Sequence, residues 1–229
     1  LFSSSYEAGF PQLVRQTLVG DLETPVSAFL KLTAESGRNA FLLESVEGGA
    51  VRGRYSMIGL MPDIIWRCKD DRAEINRAAR INPSAFEPCG KPPLAALRDL
   101  LAESAIPFDE SLPPMAAGVF GYLGYDMVRH MERLGNPNPD VLGVPDAILV
   151  RPTIMVVFDS VRDEITLLTP VRPREGVSPK AAYDAAIDRL DIASKAIDGP
   201  LPDNIAPAAS VIHTNPVSNT DRKSTRLNS

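Results

Sequence analysis

Short apolar and β-branched runs, separated by glycine- and proline-rich breaks, make up most of this chain. Residues 12–18, 63–68, 73–77, 147–159 and 164–168 predict strands, and the more continuously apolar run 115–122 predicts a buried one. Between residues 159 and 164 the connection Ser160-Val161-Arg162-Asp163 is short enough to make the last two runs a hairpin. Helical period takes over in only a few places. Ser4 and Glu7 have capping-box spacing; Thr24 and Pro25 open a stripe of Val26, Phe29, Leu30 and Leu32 that ends near Gly37; Leu94, Leu97, Leu100 and Leu101 form another. Residues 126–134 predict a helical turn, while 82–93 is dense in turn residues and predicts a loop. The strongest helix runs from a Ser178 cap and Pro179 through Tyr183, Ala186, Ile187, Leu190, Ala193 and Ile197 to the Gly199-Pro200 stop. Hairpins mixed with helices, without βαβ alternation, predict an α+β fold of antiparallel β-sheets with flanking helices. Residues 1–199 would form that domain, and the proline-punctuated stretch 200–220 a linker.

One hairpin carries candidate chemistry. Two strand-forming runs, Phe41 to Glu47 and Ala50 to Gly59, flank Gly48-Gly49, the signature of a tight turn. With those glycines as a two-residue loop, Glu47 pairs with Ala50, Ser45 falls opposite Arg52, and Leu43 opposite Arg54. Phe41, Leu43 and Ser45 would then share a face with Arg52, Arg54 and Ser56. An apolar wall, a hydroxyl and two guanidinium forks suit a small zwitterion with an apolar side chain. A half-buried hairpin with surface arginines is also commonplace, and the pattern alone does not decide between the two.

Composition narrows the alternatives. The chain has 229 residues, 44% of them hydrophobic, and a formal net charge of -5. It is large enough for a proper core, and its charge gives nucleic acid or an anionic membrane no general attraction. The longest apolar stretches are cut by Arg151 and Asp159, and no basic-then-apolar signal pattern opens the sequence, so the expected location is the cytoplasm. Cys68 and Cys89 read as reduced thiols, and neither His130 nor His213 has metal-ligand spacing to an acidic residue or cysteine. No Walker loop, nucleophile elbow or dinucleotide fingerprint is present. Gly118, Gly121 and Gly124, set among apolar and aromatic residues, suit close backbone packing in a sheet; Trp66 suits core or edge packing.

Three separated blocks carry a resemblance. Asp21 to Leu32, the Leu42-Leu43-Glu44-Ser45 hairpin with its Arg54-Tyr55-Ser56 return, and Gly118 to Glu132 resemble, in the same order, the N-terminal region of anthranilate synthase component I. That resemblance implies a parent enzyme that converts chorismate and glutamine-derived ammonia to anthranilate and pyruvate in tryptophan biosynthesis. It implies a glutamine amidotransferase partner, and magnesium held by a C-terminal catalytic domain that this chain lacks. No catalytic residue, cofactor or metal ligand is expected in this fragment, which would be inactive alone. What it would carry is part of the tryptophan feedback site. There Ser45 would meet the ligand's ammonium or main-chain polar groups, Leu43 would wall the indole, and Arg52 or Arg54 would supply the basic group, with the register favouring Arg52. Glu44 would take part through its backbone, or through a strand twist that turns its carboxylate inward.

The last nine residues, Asp221 to Ser229, are basic, polar and unlike the rest. They resemble the translation of a sequencing adapter and are left out of the fold reasoning; Leu1 in place of methionine suggests a truncated start. The sister family aminodeoxychorismate synthase shares some motifs, and a free-standing amino-acid-binding module is a further alternative.

Overall fold

The computed structural model describes residues 2–34, 39–47, 51–107, 111–135 and 139–203, and at positions 46, 47, 51 and 52 the backbone alone. The expected end of the second helix at Gly37, the Gly48-Gly49 turn, most of the linker and the basic tail lie outside these residues.

Two five-stranded antiparallel sheets form the body. The first has the order β1 (Gln12–Val19), β10 (Glu164–Val171), β9 (Ile154–Asp159), β3 (Val51–Leu60), β2 (Phe41–Glu47). The second has the order β6 (Glu87–Pro88), β5 (Arg72–Asn76), β4 (Ile64–Lys69), β8 (Ala147–Arg151), β7 (Phe120–Leu123). Three helices, α1 (Phe2–Glu7), α2 (Pro25–Thr33) and α4 (Pro179–Asp198), cover the outer face of the first sheet, and α3 (Pro93–Ser104) covers that of the second. Among the described residues no helix is long and apolar enough to cross a membrane.

Strand alternation sorts side chains into these layers. In β9, Ile154, Val156 and Phe158 pack under the helices, whereas Met155 and Val157 enter the layer between the sheets. In β4, Ile64, Trp66 and Cys68 face α3 while Ile65 points inward to Phe41 of the other sheet. Trp66 is completely buried. Because β4, β9 and β10 are apolar on both sides, they read as continuous hydrophobic runs, as central strands covered on both faces do.

α2 and α4 follow their sequence signals, whereas α1 already starts at Phe2, so Ser4 lies inside it and does not cap it. Thr24 caps α2 through a reciprocal bond with Ser27, and Pro25 occupies the first turn. Ser178 accepts from the Ala181 N–H at the start of α4, whose buried side is Ala182, Ala186, Leu190, Ala193 and Ile197. Tyr183, expected in that stripe, is 41% exposed because Ala182 takes the inward position. In α3, Leu97 and Leu100 are buried as expected, but Leu101 turns outward and Ala96 and Ser104 lie inside instead.

Two expectations are corrected. Residues 115–122 do not form one buried strand: β7 is only Phe120–Leu123, a largely exposed sheet edge that precedes a 3₁₀ turn at Tyr125–His130. Nor is 147–159 a single strand. Pro152 cannot donate to a ladder, and there the chain leaves the second sheet and enters the first, splitting the run into β8 and β9. The chain makes the opposite crossing between β3 and β4, and the two corners lie side by side. The Asp63 N–H donates to the Arg151 carbonyl, the Thr153 N–H to the Leu60 carbonyl, and the Thr153 hydroxyl to the Met61 carbonyl. Arg151, whose side chain is 10% exposed, closes the corner with two 2.8 Å bonds from its guanidinium to the Asp63 carboxylate.

Candidate functional site

The β2–β3 hairpin is built differently from the two-residue-turn register. Phe41, Leu42, Leu43 and Glu44 pair with Gly59, Ile58, Met57 and Ser56; then Val46 and Glu47 pair with Arg52 and Val51. Between the two ladders β2 spends one residue, Ser45, where β3 spends three, Gly53, Arg54 and Tyr55. At the turn end Glu47 already pairs with Val51 instead of Ala50, and the bulge then shifts the register by two residues more, so different side chains meet. Leu43 lies opposite Met57 rather than Arg54, and Arg52 lies opposite Val46 rather than Ser45. Ser56 pairs with Glu44, away from the face of Leu43.

The bulge has a local cause. Ser45 lies directly over Gly53, where an added Cβ would sit 2.5 Å from the Ser45 Cβ and clash with its hydroxyl. Only glycine leaves room for that approach. The same device recurs at Gly59, whose missing side chain is replaced by the Phe41 ring. Phe41 continues across the layer to Phe120 of the second sheet, ring centroids 5.0 Å apart, and fixes the hairpin against β7.

The resulting face is apolar at one end and polar at the other. Tyr55 and Met57 join Met155, Val157 and Leu168 in the layer between the sheets. Leu43 beside them is 45% exposed, and Ser45 is exposed as well. Asp159 of β9 is in register with Tyr55 and takes the Arg54 guanidinium in a fork, 2.9 Å from Nε and 2.7 Å from Nη2. Arg54 also lies 4.8 Å from the Tyr55 ring centroid. The bond from Arg54 holds the Asp159 carboxyl below its usual range and raises the Arg54 guanidinium in turn. Arg54 is therefore engaged within the protein through Nε and Nη2, while its Nη1 has no hydrogen-bond partner among the described residues and the side chain is 42% exposed. The Arg52 side chain lies outside the described residues.

The five sequence-selected positions thus divide. Leu43 and Ser45 share the inward side of the hairpin edge, Glu44 lies across the strand beside Ser56, and Arg54 is committed to Asp159. Sequence reasoning missed Gly53, Tyr55, Met57 and Asp159. A glycine inside a strand pattern is the one signal that pointed to the bulge.

A second grouping resembles catalytic machinery without its chemistry. Cys68 Sγ lies 3.8 Å from His130 Nε2, and His130 Nδ1 lies 3.7 Å from the Asp71 carboxylate. Burial, with smaller contributions from Asp146, Asp71 and Asp70, pushes the Cys68 thiol up to about 11. It stays protonated at neutral pH and is no nucleophile. Gly121 and Gly124 fulfil the close-packing expectation, since a Cβ on Gly124 would meet the Asp146 carbonyl oxygen at 2.8 Å, whereas Gly118 does not, a Cβ there meeting only the Phe120 ring at 3.8 Å. Among the described residues no three His, Cys, Asp or Glu side chains converge as a metal site.

Comparison with known proteins bears on what this scaffold is. No family model matches the chain. It is 48% identical over 197 residues to anthranilate synthase component 1 of Cereibacter sphaeroides, covering 86% of this chain and 39% of that one. Against the Thermus thermophilus protein of the same name it is 38% identical over 188 residues, 82% of this chain and 36% of the other. The Pseudomonas aeruginosa protein gives 37% over 175 residues, 76% and 34%. Among solved structures, anthranilate synthase component I from Streptococcus pneumoniae matches with a TM-score of 0.51 at 19% identity, over 81% of this chain and 37% of that one, a likeness of fold. With 37 to 48% identity along three quarters or more of its length, the chain is homologous to anthranilate synthase component 1 and spans between 34 and 39% of the length of these relatives.

Proposed function

We propose that this chain is the N-terminal, inhibitor-sensing part of an anthranilate synthase component 1, and that tryptophan binds at the inward edge of the β2–β3 hairpin. The 48% identity to a curated relative of that name carries the reading. The hairpin supports it: Ser45 and Leu43 are both exposed, and Leu43, backed by the buried Met57 opposite it, offers an apolar side chain suited to an indole. Ser45 accepts from the ligand's ammonium. Leu43 walls the ring. Arg52, or Arg54 through the Nη1 edge that Asp159 leaves open, is the partner for the ligand carboxylate, and Glu44, on the far side of the strand, contributes through its backbone.

In this proposal the parent works in the cytoplasm and forms anthranilate and pyruvate from chorismate, with ammonia supplied by a glutamine amidotransferase subunit. The chemistry and the magnesium reside in the part of the relatives that this chain does not span, and the chain alone has no activity.

The test joins this chain to the remainder of the Cereibacter sphaeroides relative and follows anthranilate formation from chorismate. The chimaera should be active and inhibited by tryptophan. Ser45→Phe should raise the half-inhibitory tryptophan concentration about tenfold, equivalent to about 1.4 kcal/mol, with uninhibited turnover within about twofold. Unchanged inhibition removes Ser45 from the site; an inactive but folded chimaera overturns the enzyme reading.

A further inference from the structure

Away from the hairpin, the corner where the chain crosses between sheets opens into a cavity of about 460 Å³ with an unusual lining. Its wall combines the end of β10, the inner side of the first turns of α4, and the segment after β5. Five arginines line it: Arg77, Arg80, Arg172, Arg174 and Arg189. Among the described residues of the lining, Asp63 is the single acidic one. A sixth arginine, Arg151, stands directly behind it.

The local carboxylates are already used. Asp63 is held by the Arg151 fork at 2.8 Å, and Glu103, just outside, receives both nitrogens of Arg77 at 2.9 Å. Among the described residues, Arg174 comes no closer than 4.0 Å to the Asp63 carboxylate, and Arg80, Arg172 and Arg189 make no ion pair. Arg189 spends its Nε on the Thr169 hydroxyl at 2.8 Å, and Arg172 gives Nη2 to the Ser104 carbonyl at 3.0 Å. The Arg172 Nε is buried and has no hydrogen-bond partner among the described residues.

So many guanidinium groups around one concave space repel each other, and a desolvated donor left unpaired costs free energy. Burial, then the neighbouring Arg151 charge, draws the Arg172 guanidinium down to about 10, still cationic at neutral pH. Burial and the charges of Arg80 and Arg174 lower Arg189 in the same way. In a chain with a net charge of -5, this local positive field is the opposite of the average. What would relieve both the repulsion and the orphaned donor is an anion with several acceptor oxygens.

We propose that this cavity is an oxyanion site, taking a small molecule or group with at least two negative charges borne on phosphate or carboxylate oxygens. Arg172 and Arg189 form its floor, and Arg80 and Arg174 its rim. Planar forks of this kind bind such oxygens in pairs, and the volume suits a ligand of metabolite size. The site is separate from the hairpin and does not depend on the tryptophan reading. The anion has two sources: a free ligand, or carboxylate side chains from the part of the longer relatives that this chain does not span.

Isothermal titration of the chain with inorganic pyrophosphate, at fixed ionic strength, tests the chemistry. Saturable one-to-one binding is expected, weakened at least tenfold by Arg172→Met and at least threefold by the rim change Arg80→Gln, which leaves the core untouched. Arg98→Gln, an exposed arginine on α3, should bind as the parent does. Circular dichroism checks that each variant is folded. No saturable binding to folded chain, or equal loss in the Arg98 and Arg80 variants, overturns the proposal. Repeating the titration on the chimaera identifies the source: retained binding means a free anion, and binding lost there but present in the chain means that carboxylates of the longer polypeptide occupy the cavity.

Discussion

Ser45 and Gly53 show how a single missing Cβ can place a hydroxyl. With the Ser45 side chain lying on the Gly53 backbone, β3 loops out by two residues and the hairpin face is redrawn. Gly53→Ala should therefore act twice. The new methyl has no space, so the variant should lose about 1–3 kcal/mol of stability by urea denaturation, and in the chimaera it should weaken tryptophan inhibition by displacing Ser45. Stability and inhibition both unchanged would show that the hairpin absorbs the methyl without moving Ser45. The two thiols make a pH prediction. Burial raises both, Cys68 up to about 11, so at pH 8 iodoacetamide should label the half-exposed Cys89 well before the fully buried Cys68. Above the ordinary thiol value of about 9, an unfolded chain releases the Cys68 proton while the folded chain keeps it. Stability should thus fall between pH 9 and 11 as a result of Cys68. Cys68→Ala should flatten that fall, which denaturation at a series of pH values will measure.

At the scale of elements, caps and stripes dominate. α4 was legible to its ends, because a Ser-Pro start, an apolar stripe and a Gly-Pro stop all agree. Its central anchor is Leu190, 2% exposed between α2 and the first sheet. Leu190→Ala should cost about 2–5 kcal/mol, since neighbouring strands cannot close around the void, whereas the outward Ile192→Ala should cost under about 0.5 kcal/mol. Thermal melts of the two variants make the comparison, and near-equal losses would mean that α4 is not the lid of this core. Strands were less legible at their boundaries. The run 147–159 carries one apolar pattern across two sheets, and Pro152 was the only local sign of the break. The hairpin register failed for a related reason: a turn guess propagates along the whole ladder, and here Glu47 pairs with Val51 instead of Ala50, after which the bulge at Ser45 shifts the pairing by two residues more.

The whole molecule is held by the layer between the sheets. Phe41 reaches Phe120 and Ile65, Met57 meets Met155 and Val157, and both sheet crossings are locked at the buried Arg151–Asp63 pair. The sheets should therefore unfold together. Trp66, the sole tryptophan and fully buried in the second sheet, reports on one of them by fluorescence, while far-UV circular dichroism reports on both. One shared urea midpoint is expected, with a red shift of the Trp66 emission; two separated midpoints would mean that the sheets are independent units.

By itself the sequence determined the fold class, the start of α2, both ends of α4 and the β9–β10 hairpin, because these depend on local period, capping and turn chemistry. Tertiary structure alone decided the rest. It set Leu43 against Met57, spent Arg54 on Asp159 from a strand more than a hundred residues away, and gathered arginines from three distant segments around one cavity. The physical reason is that register and charge pairing are settled by partners across a sheet or a corner, whose identity is not written in the residues beside them.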